Sequence, residues 1–434
     1  MIKWDEFSSL AHNWQDLLLR KKILGKGKVL RNIAFLSGGS AFAQVLTAVN
    51  AILLARFLSP EGYGLFISAY AAAGLTSFLF NWGLDTWLLR QASISQQPRN
   101  LLGSVIAIKT GFGFVWVLGL LIILPQIRPD LFIKALLLVS ALDIWCDGLF
   151  NAGTASLNAQ KRVSIVSMLL LLSRGTRLLG TIILIFLGAS LPVIFATGRL
   201  AGTLIALIIV IFILKPTFIT GLVSDAVRIF RDSIPYGLSD LLATIYLQAD
   251  VTLLAIIAGS KVAVGLYSPA SSLVNALFII PAAIYAVMIP VLTRLLESNR
   301  LDFHRHVRFM YAGFIALGLL MWLGIGFGGG FLVNLLLGPS YSTTGRLLVI
   351  LSPILLLKAV SFASAAVLVA VGWQKYRLTP QAISAIANVI LNLYFIPQFG
   401  VVGVASVYVV SEIVLTTGYI AQSARWFRSN PIIV

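Results

Sequence analysis

The chain is poor in the residues on which metal sites and disulfide frameworks depend. It contains one cysteine and three histidines, and it has no Gly-rich loop that ends in Gly-Lys-Ser/Thr. A single cysteine cannot form an intramolecular disulfide, and His12, His304 and His306 lie in polar segments away from Cys146. The sequence therefore predicts no metal site, no cofactor and no ATPase site of its own.

Charged residues are also scarce. They make up 11% of the chain, whereas 59% of the residues are hydrophobic and the mean hydropathy is +0.96. A soluble domain would carry about a quarter charged residues. Apolar runs of about 20 residues recur along the chain, and each is long enough to cross a hydrocarbon core of about 30 Å as an α-helix. The composition predicts an all-α polytopic membrane protein.

The apolar runs predict twelve membrane-spanning helices. In chain order these spans cover 32–58, 63–89, 101–124, 131–158, 163–188, 191–214, 234–258, 263–293, 307–336, 344–371, 378–396 and 402–426. The loops on one side of the spans are only a few residues long, so no extramembrane catalytic domain fits there. We therefore expect a protein that is not an enzyme.

The charge of the chain is unevenly distributed between the loops. The net charge is +17, from 32 Lys and Arg against 15 Asp and Glu. The loops that contain Arg162, Lys215 and Lys375 are rich in basic residues, and the opposite loops contain few of them. Cytoplasmic loops carry such an excess, so the positive-inside rule explains this charge better than a nucleic-acid partner does. An even number of spans then places both termini in the cytoplasm.

Two segments about 200 residues apart share one design. Leu53-Leu54-Ala55 precedes a turn and Gly64-Leu65-Phe66, and Leu253-Leu254-Ala255 precedes a turn and Gly265-Leu266-Tyr267. The offset is 200 residues before the turn and 201 after it. Two apolar hairpins could match by chance, but the repeated turn positions favour a duplicated unit. Six spans in each half make the halves parallel repeats.

The predicted organisation follows from this duplication. An N-lobe at 32–214 contains spans 1 to 6, and a C-lobe at 234–426 contains spans 7 to 12. A cytoplasmic linker at 215–233 joins them. Aromatic and aliphatic residues at helical spacing predict an amphipathic interfacial helix at 1–31, for which a flexible tail is the alternative. Residues 427–434 are predicted to form a cytoplasmic tail.

Several motifs, in their order along the chain, resemble one family of transporters. They are Phe35-Leu36-Ser37-Gly38-Gly39, Ala55-Arg56-Phe57-Leu58-Ser59-Pro60-Glu61-Gly62-Tyr63-Gly64, Asn81-Trp82-Gly83-Leu84-Asp85, Ala249-Asp250-Val251-Thr252-Leu253-Leu254, Val264-Gly265-Leu266-Tyr267-Ser268-Pro269-Ala270 and Asn388-Val389-Ile390-Leu391-Asn392. Over residues 32–426 the chain resembles the bacterial oligosaccharide and polysaccharide flippases (Wzx-like) of the multidrug/oligosaccharidyl-lipid/polysaccharide exporter superfamily.

The resemblance implies two six-helix lobes around a central cavity and an alternating-access cycle. The implied substrate is a polyprenyl-diphosphate-linked oligosaccharide, moved to the outer leaflet of the bacterial inner membrane for surface polysaccharide biosynthesis. The bilayer, and a polysaccharide polymerase or other assembly proteins, are the implied partners. The relative that flips the peptidoglycan precursor typically has two further spans, which are not found in this sequence.

Two other function classes stay open at this point. A multidrug or cation antiporter would share the fold, but it would need an acidic cavity without a basic cluster. A membrane-embedded polysaccharide polymerase or ligase would need a sizeable outer loop with polar catalytic groups, and the short outer loops speak against it.

Basic residues inside the predicted spans are the candidates for substrate binding. Charges at membrane depth are costly, so they face a cavity or pair with one another. Arginine can hold a diphosphate by bidentate hydrogen bonds, and lysine can hold it as a point charge. The candidates are Lys109, Arg174, Arg177, Arg199 and Lys358. We expect Arg199 to be the most readily available of them, because no acidic residue is evident at its depth; snorkelling to the outer surface is the alternative.

Acidic residues inside the spans form a second set of candidates. Asp240, Asp250 and Glu412 lie in the C-lobe, which has few basic partners, and are predicted to bind a coupling ion. The others, predicted to form structural ion pairs or to line the cavity, are Asp85, Asp143 and Asp147. By depth and helical spacing, Asp143 and Asp147 match Arg174 and Arg177. Asp85 likewise matches Lys109, and Glu412 matches Lys358 in depth.

The predicted topology can be tested with reporter fusions. Because the basic loops lie on one side, fusions after Arg162 and Lys375 should report the cytoplasm, and fusions at Gly62, Ala189 and Gly400 should report the outside. Paired alkaline phosphatase and fluorescent protein fusions measure the two locations independently. A majority of reversed readings would contradict the twelve-span topology.

Overall fold

The structure is a computed structural model that describes residues 4–95, 97–127, 130–217 and 222–430. In these ranges the regular elements are all helices, and no β-strand occurs. The prediction of an all-α protein is therefore confirmed.

Fourteen α-helices account for most of the described residues. They are α1 (Trp4–Thr76), α2 (Phe78–Asn81), α3 (Leu84–Ile94), α4 (Pro98–Ile127), α5 (Leu131–Ala159), α6 (Val163–Phe186), α7 (Pro192–Leu214), α8 (Leu222–Ile257), α9 (Lys261–Leu277), α10 (Ile279–Ser298), α11 (Arg300–Leu337), α12 (Ser342–Leu351), α13 (Pro353–Ala370) and α14 (Leu378–Ser429). Short 3₁₀-helices at Pro339–Tyr341 and Gln374–Arg377 precede α12 and α14.

Two of these helices contain a sharp internal break. Ser59 in α1 has φ 62° and is followed by Pro60, and Gly400 in α14 has φ 53°. A residue with positive φ interrupts the helix, so α1 and α14 each consist of two successive helices. The breaks lie at the predicted turns between spans 1 and 2 and between spans 11 and 12.

Eight helical stretches among the described residues are long and apolar enough to cross a membrane. Two of them, Phe42–Asn81 and Gln374–Ser429, contain the breaks in α1 and α14 and supply two passages each. Helices α5 and α8 cover the predicted spans at 131–158 and 234–258. The helices therefore accommodate all twelve predicted spans.

The boundaries of the predicted terminal and linker segments differ from the observed helices. Helix α8 begins at Leu222, so the second part of the predicted linker and span 7 form one continuous helix. Helix α1 begins at Trp4 and continues into the first span. The side chains that would make residues 1–31 amphipathic lie outside the described ones, and that interpretation stays a prediction.

The largest apolar core joins the two halves of the chain. It contains Tyr63 and Phe66 of α1, Tyr267 of α9, and Tyr341 and Leu348 near α12, all of them buried. Smaller cores lie within each half. Several phenylalanines on the outer surface are largely exposed, among them Phe186, Phe212 and Phe327. Such a surface suits hydrocarbon rather than water as its solvent.

The halves approach each other most closely at two glycines. A Cβ atom on Gly64 would lie 1.7 Å from the carbonyl oxygen of Lys261, and a Cβ on Gly265 would lie 1.7 Å from that of Pro60. Only glycine fits such an approach of two backbones. Pro60 and Lys261 are 201 residues apart, as are Gly64 and Gly265. The contacts are therefore reciprocal, as two parallel repeats require.

Candidate functional site

A cavity of about 480 Å³ lies between the two halves, beside these glycines. Its walls come from α1, α2, α5 and α7 of the first half and from α8 and α9 of the second. The lining residues are Ile67, Tyr70, Ala71, Gly74, Ser77, Asn81, Ile144, Asp147, Gly148, Asn151, Arg199, Thr244, Val251, Ser268, Ser271, Ser272 and Asn275. This is the location that a central cavity between two lobes would occupy.

The two walls of the cavity differ in charge. The first half contributes Arg199 and Asp147, whose side chains are partly exposed. The lining residues of the second half are uncharged, and most carry a hydroxyl or amide group. An ionic ligand would therefore be held by the first half.

Arg199 is part of a network that connects α5, α6 and α7. Its Nε donates to Asp143 Oδ2 at 2.8 Å, and Thr203 donates to the other carboxylate oxygen of Asp143. Arg177 Nε donates to Thr203 Oγ1 at 2.9 Å, and its NH2 group donates to Asp147. Asp143 and Arg177 are almost completely buried, so the network is largely shielded from solvent.

Helical spacing explains why these side chains meet. Asp143 and Asp147 are one turn apart on α5, and Arg199 and Thr203 are one turn apart on α7. Arg177 of α6 pairs with Asp147 of α5, as the sequence indicated. Arg174 makes only a long contact, with its NH1 atom 4.0 Å from Asp147 Oδ1.

The expectation that Arg199 has no acidic partner is wrong. Helix α7 packs against α5 and brings Arg199 to Asp143, a contact that depth alone did not indicate. The Arg199 guanidinium also lies 4.2 Å from the centre of the Tyr70 ring, a cation–π contact. Tyr70 lines the cavity and was missed by the sequence analysis, which considered only charged residues at membrane depth.

The two lysine candidates lie in ion pairs and do not line the cavity. Lys109 is fully buried, and its Nζ lies 2.7 Å from Asp85 and donates to the Gly148 carbonyl at 2.9 Å. Lys358 lies 3.0 Å from Glu412 Oε2. Both contacts match the pairing that depth indicated as the alternative to substrate binding. Neither lysine is among the residues that line the cavity.

The acidic candidates of the second half are separated from one another. Asp250 on α8 is buried and accepts hydrogen bonds from Asn392 at 2.8 Å and from the Tyr267 hydroxyl at 3.2 Å. Asn392 also donates to Asn388 Oδ1 at 3.1 Å. Asp240 is half-buried on α8, near the pair of Lys109 and Asp85 rather than near Asp250. Glu412 is occupied by Lys358.

Three kinds of comparison relate the chain to known proteins. Residues 29–296 match the sequence model of a family described as polysaccharide biosynthesis protein. No curated protein matches the chain in sequence.

Solved structures show a shared fold. The lipid II flippase MurJ, in an inward closed conformation, superposes with a TM-score of 0.71 at 17% identity, over 89% of this chain and 87% of that one. An inward-facing multidrug resistance MATE transporter of the MOP superfamily gives 0.68 at 12% identity, over 90% and 96%. A MOP superfamily transporter from Pyrococcus furiosus gives 0.64 at 13%, over 92% and 95%.

The network predicts that its carboxylates matter more for stability than any one of its arginines. Three guanidinium groups share two carboxylates, so Asp143→Ala leaves buried positive charge without a partner and should lower the free energy of unfolding by about 3–5 kcal/mol. Arg174→Ala should cost about 1 kcal/mol or less, because Arg174 is partly exposed and poorly paired. Thermal unfolding of the purified protein in detergent measures both.

The double change Asp143→Ala with Arg199→Ala should recover part of this loss, because it removes the stranded guanidinium together with its carboxylate. If Asp143→Ala unfolds at the same temperature as Arg174→Ala, the network does not stabilise the fold.

Proposed function

Because the chain belongs to the polysaccharide biosynthesis protein family and shares its fold with transporters of the MOP superfamily, we propose that it is a flippase. Its substrate is a polyprenyl-diphosphate-linked oligosaccharide. It carries the headgroup from the cytoplasmic to the outer leaflet of the bacterial inner membrane, with both termini in the cytoplasm. The lobes alternate around the cavity while the lipid tail stays in the bilayer.

The observation that supports this proposal most directly is Arg199 in the cavity wall. Its bond to Asp143 uses Nε, and among the described residues its two terminal guanidinium nitrogens have no hydrogen-bond partner. Terminal guanidinium nitrogens bind phosphate oxygens as a planar fork. Arg174 and Arg177 belong to the same network as Arg199. The three arginines exceed the two carboxylates, Asp143 and Asp147, by one positive charge. The site is therefore suited to an anion.

The transport cycle needs a source of energy, and we propose that Asp250 couples it to an ion gradient. Its carboxylate is buried in the second half and its hydrogen-bond donors Asn392 and Tyr267 are neutral. A proton or Na⁺ can compensate a buried carboxylate that neutral groups surround. Glu412 is a weaker candidate, because it has Lys358 as its counter-ion. Asp240 is also weaker, because it is only half-buried and lies near the pair of Lys109 and Asp85.

Loss of Arg199 should separate substrate binding from folding. Arg199→Ala should reduce export of the lipid-linked oligosaccharide at least ten-fold, while the protein still accumulates, because Arg177 remains near Asp143. Arg199→Lys should restore little, since lysine lacks the planar fork. Export is measured as polysaccharide at the cell surface, normalised to the amount of protein in the membrane.

The matched control is Arg346→Ala, which removes an exposed arginine of α12 outside the cavity and should leave export unchanged. Normal export by Arg199→Ala would remove Arg199 from the site. Normal export together with lost efflux of an organic cation would instead favour a multidrug antiporter, for which the MATE-like fold and the cavity-facing Asp147 are the supporting observations.

Loss of the Asp250 carboxylate should uncouple transport from the ion gradient. Asp250→Asn keeps the shape of the side chain and removes its charge, so flipping in proteoliposomes should no longer respond to an imposed proton or Na⁺ gradient. Asp130→Asn, which changes an exposed helix cap, is the control. A gradient response equal to that of the parent protein would leave Asp250 as a structural residue.

A further inference from the structure

The uncharged wall of the cavity consists mainly of one face of α9. Ser268, Ser271, Ser272 and Asn275 line the cavity, and their spacing of three, four and seven residues places them on one side of the helix. A continuous polar face on a membrane-spanning helix normally contacts a partner helix, water or a ligand. Here the face borders the cavity.

The corresponding face of α1 is mostly apolar. Each cavity-lining residue of α1 lies 201 positions before a cavity-lining residue of α9. The equivalent pairs are Ile67 and Ser268, Tyr70 and Ser271, Ala71 and Ser272, and Gly74 and Asn275. The first half therefore builds the same helix face mostly from apolar residues. Asn275 is hydrogen-bonded within the protein, because it accepts from Tyr408 at 3.3 Å and donates to Ser271 at 3.4 Å. Ser268 and Ser272 are the hydroxyls that internal hydrogen bonds leave unexplained.

Ser268 is also unpaired in the structure. Its side chain is 96% buried and lines the cavity, and its Oγ has no hydrogen-bond partner among the described residues. Other serines in the described helices bond back to a carbonyl about one turn earlier, as Ser68 does to Gly64 at 2.7 Å. Ser140 and Ser173 also lack a partner among the described residues, but they do not line the cavity. A buried hydroxyl without a partner is costly, so a group that enters the cavity would satisfy it. Asn81 Oδ1, on another wall of the cavity, is unpaired in the same way.

We propose that this α9 face, Ser268, Ser271, Ser272 and Asn275, binds the hydroxyl groups of the sugar next to the diphosphate. The inference rests on the proposed flippase function and assigns the two parts of the headgroup to different walls. Neutral hydroxyl and amide groups both donate and accept, which suits sugar hydroxyls, and they carry no positive charge to neutralise a diphosphate. Arg199 on the other wall holds the diphosphate.

The proposal predicts that the α9 face distinguishes a sugar-bearing lipid from a bare one. The probes are polyprenyl diphosphate without sugar and polyprenyl diphosphate linked to glucose, galactose or N-acetylglucosamine. Binding to the full-length protein in lipid nanodiscs is measured for each probe. The parent protein should bind at least one sugar-linked lipid more tightly than the bare lipid.

The test variant is the double change Ser268→Ala with Ser272→Ala. Alanine fits this face, since Ala71 occupies the position equivalent to Ser272, and neither serine has a hydrogen bond to the described protein that the change would remove. The variant should bind the preferred sugar-linked lipid about ten-fold more weakly, since each lost hydrogen bond accounts for about three- to ten-fold. Its affinity for the bare lipid should not change. Arg199→Ala should weaken both.

The matched control is Ser68→Ala, which removes a serine that bonds within its own helix and lies outside the cavity lining. It should bind every probe as the parent does. Equal binding of the bare and sugar-linked lipids by the parent, or an equal loss for both in the serine variant, would overturn the sugar subsite while the flippase proposal stands. Binding of none of the probes would overturn both.

Discussion

The reciprocal backbone contacts of Gly64 with Lys261 and of Gly265 with Pro60 determine where the two halves meet. Backbones this close leave no room for a side chain, so the rotation of α1 and α9 about their axes is fixed at this point. The residues one to three turns further along both helices then face the same space. The cavity therefore lies next to the glycine contact, and the residues of α1 and α9 that line it are 201 positions apart in the sequence.

The two walls of the cavity carry side chains of very different chemistry. The first half places three arginines and two carboxylates close to the cavity, held between α5, α6 and α7. The second half places hydroxyl and amide groups on the cavity and keeps Asp250, Lys358 and Glu412 in separate contacts. A buried charge needs a partner, so charged side chains come as a connected network or in pairs rather than singly. The proposed function assigns anion binding to the first half and ion coupling to Asp250 of the second.

Depth along a helix can be read from the sequence, and rotation about the helix axis cannot. The helices accommodate the twelve spans, and the contacts of Lys109 with Asp85 and of Lys358 with Glu412 agree with their depth in the sequence. Whether a side chain faces the cavity depends on which neighbour its helix packs against. That is why Lys109 is buried against the Gly148 carbonyl and does not line the cavity, and why Arg199 reaches Asp143, although the sequence suggested otherwise for Arg199.

A ligand can shift a conformational equilibrium only by the difference in its affinity for the two states. A diphosphate alone would contact Arg199 and would interact with one lobe, so its binding energy would differ little between open and closed arrangements. A headgroup held by Arg199 on one wall and by the α9 face on the other spans both lobes. Its contacts are complete only when the walls are close together. The proposed division of the headgroup between the lobes would therefore favour rearrangement with a complete substrate over rearrangement with a bare lipid.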